Sequence, residues 1–276
     1  MATIKDIPFL LNLLEDDSHS IREHVRSELI VLGKENMAAM KNVFDGGNPG
    51  QQKELDSILE EIKRANFHDH ALDWLEIEDP RQAQEVALSA ISGFESGQDN
   101  RKLSDLLDEL LEEFLFRYEK ADLAQLFDFL FLYKGFSSPE GAYYHPDNSN
   151  LISVIERKEG LQLSLAMIAV FLAKRLNLGL YGLNLPGHFM MINKDNQLDN
   201  VFDPYHKGAI MPKQTILYLQ NMFKSRGKEL PMDPASSPHI VGRVYRNLMN
   251  AYKHMEDMDM YNFYSEKYLH LKEAVS

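Results

Sequence analysis

Apolar residues fall at three- and four-residue spacing along most of the chain and alternate only briefly. The pattern predicts a mostly helical protein with one small sheet. In DSHSIREHVRSELIVLG, Ile21, Val25, Leu29 and Leu32 share one helical face. Ser20 with Glu23 three residues on reads as a capping box, and Gly33 reads as the stop. IPFLLNLL forms the helix before it, ending at the acidic turn Glu15-Asp16-Asp17. DGGNPGQQ (45–52) breaks the chain ahead of the helix KELDSILEEIKRA. RQAQEVALSAISGF, KLSDLLDELLEEFLFRY and ADLAQLFDFLFLYKGF follow as helices, the last stopped at Lys134-Gly135.

SSPEGAYYHPDNSN is turn-forming throughout and leads through LISVIERKEG into LQLSLAMIAVFLAKRLNLG. That segment is apolar nearly all round from Leu163 to Leu172, the mark of a helix buried on every side, with Gly179 as its expected C-cap. Strand-like alternation appears only after it, in LYGLNLP, HFMMIN and DNVFDP. GRVYRNLMNAYKHMEDMDMYNFYSEKYLHL then predicts a helical hairpin with its bend near Glu256-Asp257.

HFMMINKDNQLDNVFD carries the candidate chemistry. With the polar centre at Asp195-Asn196, a hairpin sets Phe189 opposite Phe202, Met190 opposite Val201 and His188 opposite Asp203. Opposed residues place Cβ atoms about 4.5–5.5 Å apart on one face, within hydrogen-bonding reach for an imidazole and a carboxylate. A slip of one residue would separate the pair. Gly187 would allow close backbone approach beside the histidine, and Pro204 would end the second strand. The pattern alone admits both a catalytic pair and a structural contact at a sheet end.

Composition narrows the chemistry. With 276 residues, 44% hydrophobic and 26% charged, the chain has material for one large domain or two to three small ones. Its net charge of −13 argues against nucleic acid or anionic membrane as a partner. No cysteine is present, which excludes disulfides, a thiolate nucleophile and cysteine-based metal sites. The N-terminal apolar run is too short for a signal peptide or a membrane span, so a cytoplasmic location is expected. His68-Asp69-His70 does not suit a metal, because residues two apart on a helix do not face each other. His19 and His24 are expected at the surface. The sequence offers no phosphate loop, nucleophile elbow or dinucleotide fingerprint, and neither metal nor cofactor is expected.

Four motifs in order, YYHPDNSNL, ERKEGLQLSLA, LYGLNLPGHFMM and FDPYHKG, give a resemblance over roughly residues 83–225. The chain resembles the SirB-type transglutaminase-like proteins, a branch of the papain-like cysteine-protease fold that often carries tetratricopeptide-like helices C-terminally. The resemblance implies an α+β, mostly helical fold. Its papain/transglutaminase-like core would be a buried central helix packed on a small antiparallel sheet, flanked by helical modules. Residues 1–80 are expected as a helical section, with about 28 residues similar to a HEAT repeat. The core is expected over 81–232 and a tetratricopeptide-like hairpin over 233–276.

Active members of the wider superfamily use cysteine, histidine and aspartate in that order. By resemblance His188 and Asp203 match the last two, and Ser164 falls where the cysteine would stand. A serine needs a base during attack and an oxyanion hole, so it does not simply replace a thiolate. The reading preferred for Ser164 is a first-turn residue whose hydroxyl caps or back-bonds the backbone. Gln162 corresponds by analogy to an oxyanion-hole residue, or to a surface position. Tyr144, His145, Asp147 and Asn148 would line the cleft, though as residues they are turn formers. The expected function is a non-catalytic protein- or peptide-binding or regulatory module, a pseudoenzyme. The alternatives are a serine-based amide hydrolase or acyl transferase using Ser164, His188 and Asp203, and a His–Asp pair that only stabilises the sheet.

Overall fold

A computed structural model describes residues 3–43, 49–97, 102–194 and 200–276. The chain divides into two compact units, Met1–Ala71 and Leu72–Ser276.

The first unit is helical: α1 (Ile7–Leu13), α2 (His19–Val43) and α3 (Pro49–His70). Ile7, Leu11, Val25, Leu29, Leu55, Ile58 and Ile62 form its core. Arg26 on α2 reaches Glu54 at 2.5 Å and Glu61 at 2.9 Å on α3, pinning the pair. The sequence reading of α2 needs correction at both ends. The helix begins before Ser20, with the Ile21 and Arg22 amides bonded to the Ser18 carbonyl, and it runs through Gly33. One glycine inside a helix costs about 1 kcal/mol relative to alanine, which the packing of this face overrides. Val25 and Leu29 are buried, whereas Ile21 is exposed. His68-Asp69-His70 forms the last turn of α3, where Asp69 accepts from Lys34 at 2.7 Å.

The second unit opens with α4 (Pro80–Ser96), capped by Asp79, which accepts from the Gln82 amide, and closed by Gly97 in the left-handed region. α5 (Lys102–Arg117) follows, then α6 (Leu123–Phe127), which passes into a π turn over Asp128–Tyr133 instead of continuing as regular helix. α7 (Leu151–Arg157) is capped by Asn150, which accepts from the Ile152 and Ser153 amides. α8 (Gln162–Arg175) is the helix predicted as buried, and every residue from Leu163 to Ala173 is enclosed. It ends earlier than expected. Asn177 takes the left-handed φ of 57° that Gly179 was assigned. At this end Arg175 grips both Glu85 oxygens at 2.7 and 2.8 Å and Asp108 at 2.7 Å, joining α8 to α4 and α5.

Strands β1 (Leu180–Leu185), β2 (His188–Asn193), β3 (Asn200–Asp203) and β4 (Ala209–Ile210) form an antiparallel meander in sequence order. One face, with Leu183, Leu185, Met190, Ile192 and Val201, is covered by Ile216, Leu219 and Phe223 of α9 (Lys213–Lys224). α8 packs on β1 and β2 from the other. Finally α10 (Ser237–His254) and α11 (Met258–Ala274) pair as a hairpin within this unit, and α10 packs on α4. Glu95 of α4 accepts from Tyr252 at 2.7 Å and from Tyr264 at 2.5 Å, fastening both helices of the hairpin. Among the described residues no helix is long and apolar enough to cross a membrane.

Candidate functional site

Ser164 lies in the first turn of α8 and is completely buried. Its hydroxyl donates to the Asn148 carbonyl at 2.8 Å, and no other hydrogen bond is made by it among the described residues. The same carbonyl accepts from the Leu161 amide at 2.9 Å. Asn148 is itself fully buried and uses its side chain completely. Its amide donates to the Ala142 and Tyr143 carbonyls at 2.8 and 3.0 Å, and its oxygen accepts from Arg157 at 2.9 Å. Residue 148 therefore holds the preceding loop against α8 rather than presenting itself in a cleft. Gly160 completes the corner, because a Cβ there would fall 2.7 Å from Val154. The glycine is required by close packing.

At the sheet end the observed register differs from the predicted one by two residues. Met191 pairs with Phe202, Ile192 with Val201 and Asn193 with Asn200. The expected turn centre, Asp195-Asn196, lies outside the described residues. A shift of two keeps His188 and Asp203 on one face but sets them diagonal, about 7–8 Å apart at Cα. No hydrogen bond joins them. By strand alternation His188 shares its face with Met190 and Ile192, the face turned away from α8. No hydrogen bond joins the His188 side chain to Ser164, whose hydroxyl is bonded to the Asn148 carbonyl. His188 is exposed, and its carbonyl accepts from Arg243 at 3.4 Å. Gly187 has φ of 82° in the β1–β2 turn with open space around it, so left-handed backbone, not close approach, is what requires glycine.

Asp203 does have an imidazole partner, but it is His206. β3 stops at Asp203, and Pro204–His206 forms a 3-10 turn in which Asp203 accepts from the Tyr205 amide at 2.9 Å. Its second oxygen meets His206 Nδ1 at 2.7 Å, with the aspartate side chain 16% exposed and the histidine 78%. Gln162, first residue of α8, sends its amide to Asp203 Oδ1 at 3.5 Å and accepts from the Phe189 amide at 3.4 Å. It bridges helix, β2 and β3. The Tyr205 hydroxyl is buried without a hydrogen-bond partner among the described residues. Burial, then the neighbouring Tyr143, raises its pKa above the ordinary tyrosine value.

The loop before α7 supplies the remaining expected residues. Tyr144 is half exposed, with ring contacts to Tyr143 at 5.2 Å and His254 of α10 at 5.1 Å. His145 Nδ1 and Arg157 both stand 3.4 Å from Asp147, lining a depression of about 290 Å³. Among the described residues no three His, Asp or Glu side chains converge as metal ligands would. The structure thus brings Gln162 and Asp203 together and adds His206 and Tyr205, while Ser164 and His188 stand apart. An aspartate-held exposed imidazole can accept and return a proton. Among the described residues no serine or threonine hydroxyl is hydrogen-bonded to it.

A family model described as transglutaminase-like superfamily matches residues 98–246. A UPF0162 protein of Xylella fastidiosa (strain 9a5c) is 32% identical over 139 residues, 48% of this chain and 49% of that protein. A UPF0162 protein of Pseudomonas aeruginosa is 32% identical over 118 residues, 42% of this chain and 43% of that protein. The chain spans about half the length of the relatives it matches. No solved structure matches the chain.

Proposed function

This chain belongs to the transglutaminase-like superfamily, and we propose that it is a non-catalytic member of the SirB-type branch that serves as a protein- or peptide-binding, regulatory module. On this reading α10 and α11 are a tetratricopeptide-like hairpin and the first unit is a HEAT-like section, both kept as interaction elements. The observation that supports the reading is the state of Ser164. At the position of the family's nucleophile it is completely buried, and its proton is committed to a backbone carbonyl. A serine nucleophile needs a base at hydrogen-bonding distance and an open approach for the acyl group. The rival reading, a serine-based amide hydrolase or acyl transferase, would require the Ser164 hydroxyl to leave the Asn148 carbonyl and gain an open approach.

Treatment of the purified chain with a reactive acyl-phosphonate, followed by peptide mass mapping, tests the two. No adduct at Ser164 is expected. A stoichiometric adduct that disappears in Ser164→Ala and in His188→Ala would establish the hydrolase instead. In parallel, a peptide array probed with the chain should return binders weakened by Tyr144→Ala. An array without binders would remove the binding role.

A further inference from the structure

Beside the β1–β2 turn, on the side of α10, lies a depression of about 410 Å³ lined by Asn184, Leu185, Pro186, Gly187, Arg243, Arg246, Asn247 and Asn250. Its size falls within the roughly 300–1,000 Å³ usual for ligand sites. Its chemistry is one-sided. Two arginines and three asparagines are among its lining residues, and no aspartate or glutamate is. In a chain of net charge −13 that is a local reversal of sign. Arg175, the arginine that ties α8 to its neighbours, is matched by two carboxylates; Arg243 and Arg246 have none among the described residues.

Arg243 is nonetheless fixed in place. One of its nitrogens, Nη1, donates to Asn184 Oδ1 at 2.6 Å, to the Leu185 carbonyl at 3.2 Å and to the His188 carbonyl at 3.4 Å. The guanidinium also lies over the Phe189 ring at 5.6 Å. All these partners are uncharged, so the group is oriented but not neutralised. Nη2 and Nε keep their donors free of protein acceptors among the described residues. Burial, and then the like charge of Arg246, lowers the Arg243 pKa from its ordinary value, the mark of a cation that lacks a counter-ion. Among the described residues Arg246 makes a ring contact with Tyr268 at 5.7 Å and no hydrogen bond or ion pair. Positions 243, 246, 247 and 250 follow the three- and four-residue spacing of one α10 face, so a single rigid helix presents both arginines and two of the asparagines.

We propose that this depression is an oxyanion-binding site, which takes a carboxylate or phosphate group between Arg243 and Arg246 with Asn247 and Asn250 alongside. A planar guanidinium whose Nε/Nη2 edge is free suits such a group, and the carboxamides can both donate to it and accept from an adjoining amide. The site is preformed, because the turn carbonyls hold Arg243 before any ligand arrives. It stands whether or not Ser164 reacts, since none of its residues lies on α8.

Calorimetric titration of the full chain tests it with three probes: N-acetyl-tetra-alanine with a free carboxylate, the same peptide amidated, and inorganic phosphate. Arg243 also holds the turn, so the variants are Arg246→Glu and Asn247→Asp, with Arg226→Gln as a control on an exposed segment. The carboxylate, the phosphate or both should bind, more weakly as salt is raised, and the amide should not. Binding of one anion alone names the source of the group. Each of the two variants should weaken binding by roughly tenfold or more, as expected for loss or opposition of a charged hydrogen bond, with the control unchanged. Equal binding of the amide, no binding of either anion, or an affinity untouched by both variants overturns the site.

Discussion

Ser164→Cys gives the sharpest test of how α8 is built, because the chain has no cysteine and the substitution introduces its sole thiol. The Ser164 hydroxyl is completely buried and bonded to the Asn148 carbonyl at 2.8 Å. A thiol is a weaker donor and a larger atom. The carbonyl keeps the Leu161 amide at 2.9 Å, so no acceptor is orphaned and the loss is moderate. Weakened bonding and slight overpacking together should cost about 1–2 kcal/mol. The single tryptophan, Trp74, is 3% exposed and reports this in urea through its fluorescence. Labelling with a disulfide reagent gives the second reading. A thiol enclosed on all sides reacts only when α8 opens, and an opening cost of about 4 kcal/mol slows the reaction about a thousandfold relative to the unfolded chain. Labelling in native buffer within tenfold of the urea-unfolded rate would mean that residue 164 is accessible, and both the buried-serine argument and the non-catalytic reading would fall.

Asn148→Leu should cost roughly 2–4 kcal/mol in urea unfolding, because the Ala142 and Tyr143 carbonyls and the Arg157 guanidinium all lose a buried partner. A loss under 1 kcal/mol would contradict the role given to this residue. Gly187→Ala, at φ of 82°, should destabilise by about 1–2 kcal/mol from backbone strain alone, and an unchanged midpoint would contradict it. Tyr245, Tyr252 and Tyr264 have pKa values raised by burial, with Glu95 adding to the last two. The folded state therefore keeps protons that the unfolded chain releases at about pH 10, so the contribution of these rings to stability is level below that pH and falls above it. Absorbance near the phenolate band should show these rings ionising only on unfolding, and Tyr264→Phe should flatten the alkaline limb.

The central helix was legible because its composition leaves nothing to choose: a helix apolar on all sides fits only the middle of a fold. The hairpin was legible in the parity of its faces but not in its register. Alternation fixes which residues share a face, whereas the pairing depends on the length of a polar connection that the pattern does not set. That error of two residues placed His188 opposite Asp203. The true partner, His206, left a local signal in DPYH, an aspartate ahead of a proline at a helical first position. Asn148 lies in a run of turn formers and was expected to line a cleft; only tertiary packing reveals that it is fully buried. Gly33 failed as a stop because packing outweighs a single weak residue. Arg243 and Arg246 carried no signal at all, since the absence of a counter-ion is a property of three-dimensional neighbours.

α8 is also a connector. Apart from Ser164, its polar side chains sit only at the two ends, with Gln162 at one and Lys174 and Arg175 at the other. A helix of 14 residues sets those ends about 20 Å apart. From Leu163 to Ala173 it is enclosed on all sides and offers solvent no face. The helix thereby links the site where Arg175 holds Glu85 and Asp108 to Gln162, which contacts Asp203 and β2. α4 and α5 thus hold one end of a helix whose other end touches Asp203 of the Asp203–His206 pair.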